Sequence, residues 1–247
     1  IRYWLAAGGI DPDRDVQTIV VPPPQMVANM RVGTMDAFCV GEPWNAQLVS
    51  QNLGYTALVT GEFWKDHPEK SFTLRGDFVE KNPRAAEALT AAVIEAARWC
   101  DVPANKEEMC NIIGRRAWLG VATADILGRM RGEVNYGDGR TTTNYDITMK
   151  FWRDHASYPF QSHELWFLTE NIRWGIIPAD TDTKALIGQV NREGIWRAAA
   201  ERAGVPKAET PSGTSRGTER FFDGKVFDPA NPAAYLASLA IKRSPAT

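Results

Sequence analysis

Gly41, Glu42, Pro43 and Trp44 follow an apolar run, Ala37 to Val40, and stand at the head of a helical pattern. In open parallel sheets a ligand settles beyond the carboxyl ends of the strands, where the next helix turns unpaired N–H groups toward it. Gly41 has no Cβ, so an anion can approach its backbone closely, and Pro43 is placed to start the helix. Glu42 works against an anion here unless a cation pairs it. Trp44 is either a packing residue or a wall of the site. Val21-Pro-Pro-Pro-Gln25 is a second junction of the same form, with Gln25 as its polar residue. Lys70, after His67-Pro68-Glu69, could place an ammonium group in a cleft opposite Gly41, although a lysine in a charged loop is by default a solvated surface residue. Strand–Gly–helix turns occur throughout α/β proteins, so neither junction carries a function by itself.

Catalytic constellations are weak. The sequence holds no P-loop, H-E-x-x-H or dinucleotide fingerprint. Asp36, Glu42 and Glu69 are acids that nothing pairs with a base, and His155 and His163 lie among Trp152, Phe160 and Trp166. No metal site is expected, because C-x-x-C is absent and His67, His155 and His163 are far apart. Cys39 reads as a small core residue. Cys100 and Cys110 flank a short polar connection, and both a disulfide and two reduced thiols remain open.

The elements that must position these residues alternate at first. Val16–Val21, Ala37–Val40 and Thr56–Val59 read as buried strands, separated by helices over Gln25–Val32 and from Gly41 to about Asn52. This order predicts βαβ units and a parallel sheet. Ser71–Arg75 reads as a strand leaving the first unit. A long helix follows, with Asn82 as N-cap, Pro83 in its first turn and Leu89, Val93, Ala97 and Cys100 as its apolar stripe. Further helices are expected over 104–114, 122–131, 144–156, 161–175 and 182–203. An extended tail over 207–219, a hairpin around Phe221–Pro229 and a short helix near 232–239 complete the pattern.

The 247 residues are 44% hydrophobic and 23% charged, with a net charge of −2. No basic stripe is visible, which sets nucleic-acid binding aside. No run reaches the roughly 18 apolar residues of a membrane span. The chain opens at Ile1, without Met, in what reads as a helix already under way. The sequence is therefore read as a fragment that has lost its beginning, including any signal or lipid anchor.

Val20 to Asn45, taken together, resembles the nitrate- and bicarbonate-binding proteins of ABC importers. Trp4-Leu-Ala-Ala-Gly-Gly-Ile-Asp-Pro12, His67-Pro-Glu-Lys70, Lys106-Glu-Glu-Met-Cys110, Tyr136-Gly-Asp-Gly-Arg140, Lys150-Phe-Trp-Arg-Asp154 and Phe227-Asp-Pro-Ala-Asn-Pro232 match as well. The resemblance implies an α/β fold, a two-lobed periplasmic-binding-protein-like (type II) clamp, here incomplete and mostly helical toward its C-terminus. Residues 1–65 would finish the second lobe, 66–205 would return to the first lobe, and 206–247 would form a C-terminal extension. The family's ligand-contacting glycine matches Gly41 and the cleft lysine of its nitrate binders matches Lys70; other ligand contacts lie upstream.

By the same resemblance the bicarbonate binders carry an acidic residue in place of Lys70, which helps to hold calcium, so this sequence is nitrate-like. The implied protein is a receptor and not an enzyme, needs no cofactor, binds nitrate or nitrite, and serves a membrane permease. Its expected location is periplasmic, or extracytoplasmic with a membrane tether through the missing N-terminus. A cytoplasmic nitrate-sensing regulator and a bicarbonate receptor of the same fold are the alternatives.

Overall fold

Proline and glycine set many of the element boundaries. The computed structural model describes residues 1–243, so the last four residues of the expected extension, 244–247, lie outside the described residues. In chain order the helices are α1 (Arg2–Ala7), α2 (Pro23–Val32), α3 (Trp44–Ser50), α4 (Thr60–Phe63), α5 (Gly76–Lys81), α6 (Pro83–Asp101), α7 (Lys106–Ile113) and α8 (Thr123–Met130). Strands β1 (Glu133–Asn135) and β2 (Thr141–Thr143) follow, then α9 (Gln161–Arg173), α10 (Thr183–Val190) and α11 (Glu193–Arg202). Strands β3 (Glu219–Arg220) and β4 (Val226–Phe227) and helix α12 (Pro232–Ser238) end the series. Gly33 stops α2 in the left-handed conformation at φ 74°, which a residue with a Cβ adopts only with strain.

The chain divides into two compact units. Residues 1–65 and 102–149 form one, and residues 66–101 and 150–247 the other.

In the first unit α2 packs on α3, α3 on α8, and α7 on α8. Val27, Leu48, Met109, Cys110, Ile126 and Met130 are buried on these helices. The β1–β2 hairpin pairs antiparallel, with Val134 opposite Thr142. The turn between its strands is Tyr136–Arg140. The Arg140 guanidinium lies 4.5 Å above the Tyr136 ring and donates to the carbonyls of Thr56 and Ala57. That contact helps to fix the stretch before α4, where the Thr56 N–H also donates to the Tyr136 carbonyl at 2.7 Å.

The second unit is built on α6 against α11. Ala91, Ile94, Ala199 and Ala200 let these helices approach closely, and Tyr158, Phe160, Trp196 and Val205 close the cluster. A buried polar group anchors the C-terminal part. Glu170 accepts from Arg173, from the Trp174 indole and from the Tyr235 hydroxyl, which itself accepts from the Trp166 indole. Such a network is stable because its members satisfy one another.

Several elements differ from the sequence reading. Residues 16–21, 37–40, 56–59 and 71–75 are not strands. They have no regular secondary structure, and among the described residues none has a ladder partner; both sheets found there are two-stranded and antiparallel. A β-branched run sets an extended backbone, but a strand also needs a neighbour. The helix expected over 144–156 is replaced by two short 3₁₀ turns, Tyr145–Ile147 and Arg153–His155. The N–H groups of Phe151, Trp152 and Arg153 all donate to Asp101 Oδ2, at 3.0, 2.7 and 2.9 Å, and so cannot build helix. The expected helix over 182–203 breaks into α10 and α11 at Asn191, whose side chain donates to the Pro159 carbonyl and accepts from Glu193 N–H. On α6 the buried stripe is Ala86, Ala91, Ile94 and Ala97, while Leu89 and Val93 are exposed. No disulfide joins the three cysteines: Cys39 is exposed and Cys110 buried.

Candidate functional site

The turn at Gly41 is held from both sides. Upstream, the Val40 carbonyl accepts from the Asn45 side chain at 3.0 Å. Downstream, Glu42 Oε2 accepts the Ala46 N–H at 3.2 Å, in the first turn of α3. Pro43 is buried and joined to Glu42 by a cis peptide bond. None of the hydrogen bonds that hold this turn uses the Gly41 N–H. Trp44, half-buried, opens α3.

Glu42 is paired. Its Oε1 accepts from Arg129 Nη1 at 2.6 Å, and Arg129 Nη2 donates to Thr56 Oγ1 at 2.8 Å and to the Asn135 carbonyl at 3.3 Å. The Arg129 side chain is 8% exposed and that of Glu42 18%. Burial pushes the Glu42 carboxyl above its ordinary range, and the Arg129 charge and the Ala46 N–H counteract this. The pair matters for an anion: a bare carboxylate about 6 Å from a unit anion repels it by roughly 3 kcal/mol at an effective dielectric of about 20. With Arg129 in place the turn carries no net negative charge.

The other sequence candidates are placed as follows. Gln25 is exposed in the first turn of α2, with its N–H bonded to the Pro22 carbonyl at 2.9 Å and its carbonyl accepting from Asn29. Pro23 and Pro24 have no N–H, so the mouth of α2 offers an anion few donors. Gly41, Glu42 and Trp44 share one turn in the first unit, whereas Lys70 belongs to the second. Lys70 is exposed, in the irregular stretch before α5. Just upstream, His67 packs edge-on to Trp166 and Phe167, and burial holds its imidazole below the ordinary range. Among the described residues no group of three or more His, Cys, Asp or Glu is placed to hold a metal ion, and no helix is long and apolar enough to cross a membrane.

Arg129 escaped the sequence reading. Its signal is its position on α8, three residues after the buried Ile126 and next to the buried Met130. An arginine on an apolar face must find a buried partner.

The NMT1-like family model matches residues 1–114. A nitrate/nitrite-binding protein, NrtA, of Nostoc sp. PCC 7120 is 59% identical over 98% of this chain. The chain is similar to nitrate-binding proteins over nearly its whole length. The crystal structure of the periplasmic nitrate-binding protein NrtA from Synechocystis PCC 6803 superposes with a TM-score of 0.95 at 58% identity, covering 97% of this chain and 63% of that one. That likeness shows the expected α/β binding-protein fold. The bicarbonate-binding protein CmpA of Synechococcus elongatus is more distant, at 43% identity over 99% of this chain. The chain spans about 55% of the length of the curated relatives it matches.

Proposed function

We propose that the chain is part of an extracytoplasmic solute-binding protein that captures nitrate, with nitrite as a second ligand, and delivers it to the membrane permease of an ABC importer. One observation carries the reading: identity is 59% to a nitrate/nitrite-binding relative and 43% to a bicarbonate-binding one, each over nearly the whole chain. The chemistry agrees. Nitrate is a permanent monoanion with no proton to donate, so its site needs N–H donors and positive charge. The Gly41 N–H supplies the first, free of the Glu42 charge because Arg129 neutralises it. Lys70 supplies the second, and an ammonium there repels the calcium ion that a bicarbonate site of this family uses. Nothing in the turn at Gly41 forms a nucleophile–base pair, and binding without chemical change is the role assigned to it.

Calorimetric titration of the full-length protein with nitrate, nitrite and bicarbonate, the last with and without calcium, tests this. Heat on nitrate addition and none on bicarbonate is expected. Calcium-dependent bicarbonate binding with no response to nitrate overturns the assignment.

A further inference from the structure

The proposed anion contact at Gly41 has a carboxylate as its nearest neighbour in sequence. Glu42 is tied to the turn by its own backbone, so its charge stays close to any ligand that meets the Gly41 N–H. That charge also has a structural use, because Oε2 accepts the Ala46 N–H and fixes the entry to α3. A neutral side chain could cap α3 equally well. Retaining a carboxylate beside an anion is compatible with binding only if a cation is fixed against it.

Arg129 meets that requirement. Its two terminal nitrogens are both committed: Nη1 to Glu42 Oε1, and Nη2 to Thr56 Oγ1 and the Asn135 carbonyl. Thr56 is itself buried, its N–H donates to the Tyr136 carbonyl at 2.7 Å, and Asn135 ends β1. The guanidinium is therefore held by three elements of one compact unit, and it cannot swing away as an exposed lysine could.

We infer that Arg129 is a positioning and charge-balancing residue for the Gly41 anion contact: it locks Glu42 into a neutral pair, so the turn offers its N–H without repelling the ligand. The inference rests on the proposed function, and it assigns α8 a share of the affinity through Arg129.

The test uses four full-length proteins: wild type, Arg129→Gln, Glu42→Gln and the double variant. Nitrate affinity is read by calorimetry and thermal stability beside it. Arg129→Gln, which strands the carboxylate, is expected to lose at least tenfold in affinity, and Glu42→Gln less than threefold. The double variant should return to within about threefold of wild type while remaining less thermally stable than wild type, because the charge conflict is gone but the lost packing is not. A purely structural Arg129 would leave the double variant as weak as the single one, and that result overturns the inference. So does wild-type affinity in Arg129→Gln. If Arg129→Gln does not fold, Arg129→Lys substitutes for it: retained charge should keep affinity within about threefold, and a tenfold loss counts against charge balance. A wild-type protein that binds no oxyanion removes the proposed function and this inference together. Wild-type binding that Arg129→Gln leaves unchanged removes the inference alone.

Discussion

Asp101 ends α6, where the helix carbonyls make a carboxylate unwelcome. It is held there because one oxygen, Oδ2, accepts three consecutive N–H groups, from Phe151, Trp152 and Arg153, at 3.0, 2.7 and 2.9 Å. This is an anion-binding concavity of the chain's own backbone, filled by its own side chain. A hydrogen bond to a charged group contributes about 1.5–3 kcal/mol. Three that share one oxygen do not add fully, and the unfavourable helix end subtracts up to about 1 kcal/mol. We therefore expect Asp101→Ala to cost roughly 3–5 kcal/mol locally, and Asp101→Asn about 1–2, since an amide oxygen still accepts without charge.

Hydrogen exchange at the amides of 151–153 measures this directly, because local opening is read residue by residue. A loss of roughly 3–5 kcal/mol accelerates exchange by about 150- to 5,000-fold. Asparagine should fall between alanine and wild type. Exchange in Asp101→Ala within threefold of wild type would refute the argument, and would mean that local sequence alone keeps 144–156 out of a helix.

Ile94→Ala removes a fully buried side chain at the α6–α11 contact; a loss of about 2–5 kcal/mol is expected in urea unfolding, and under 1 kcal/mol would show that the cluster relaxes around the gap. His67 and His163 are both held below the ordinary imidazole range, chiefly by burial. The fold favours their neutral forms, so their contribution is complete above about pH 6.5 and declines as pH falls further. The urea midpoint should drop between pH 7 and 5, and should drop less in the His67→Gln and His163→Gln variants; a flat midpoint in the parent contradicts this. The Tyr136 hydroxyl donates to Glu62 at 2.7 Å, and burial first, then Glu62, pushes its pKa up to about 12. The neutral phenol is favoured in the fold, so its contribution is complete below about pH 10 and lost toward pH 12. Spectrophotometric titration should find one tyrosine ionising near pH 12 that Tyr136→Phe lacks.

Helices were largely legible in the sequence because their signals are local. Pro83, Pro232 and Gly33 mark ends that the structure keeps, and Asn231 and Asp182 cap α12 and α10 through their side chains. The failures share a cause: each depended on a residue far away in the chain. Residues 151–153 resemble helix until Asp101, fifty residues upstream, takes their N–H groups. Asn191 interrupts a helical pattern because it finds the Pro159 carbonyl. Leu89 and Val93 have the right spacing for a buried stripe, but Ala199 and Ala200 on α11 select the face bearing Ala91 and Ile94. At the candidate site, glycine and proline gave the turn away, and Glu42 announced a need for a cation without naming it. Arg129 is 87 residues distant.

We propose that the Lys70 ammonium contributes its charge to the captured oxyanion. Nitrate titration of full-length Lys70→Glu against wild type tests it most directly, because reversing one charge changes Coulomb attraction into repulsion at the ligand. An affinity at least tenfold weaker is expected, equivalent to about 1.4 kcal/mol or more. Equal affinity in the two proteins would contradict it and return Lys70 to the solvated surface.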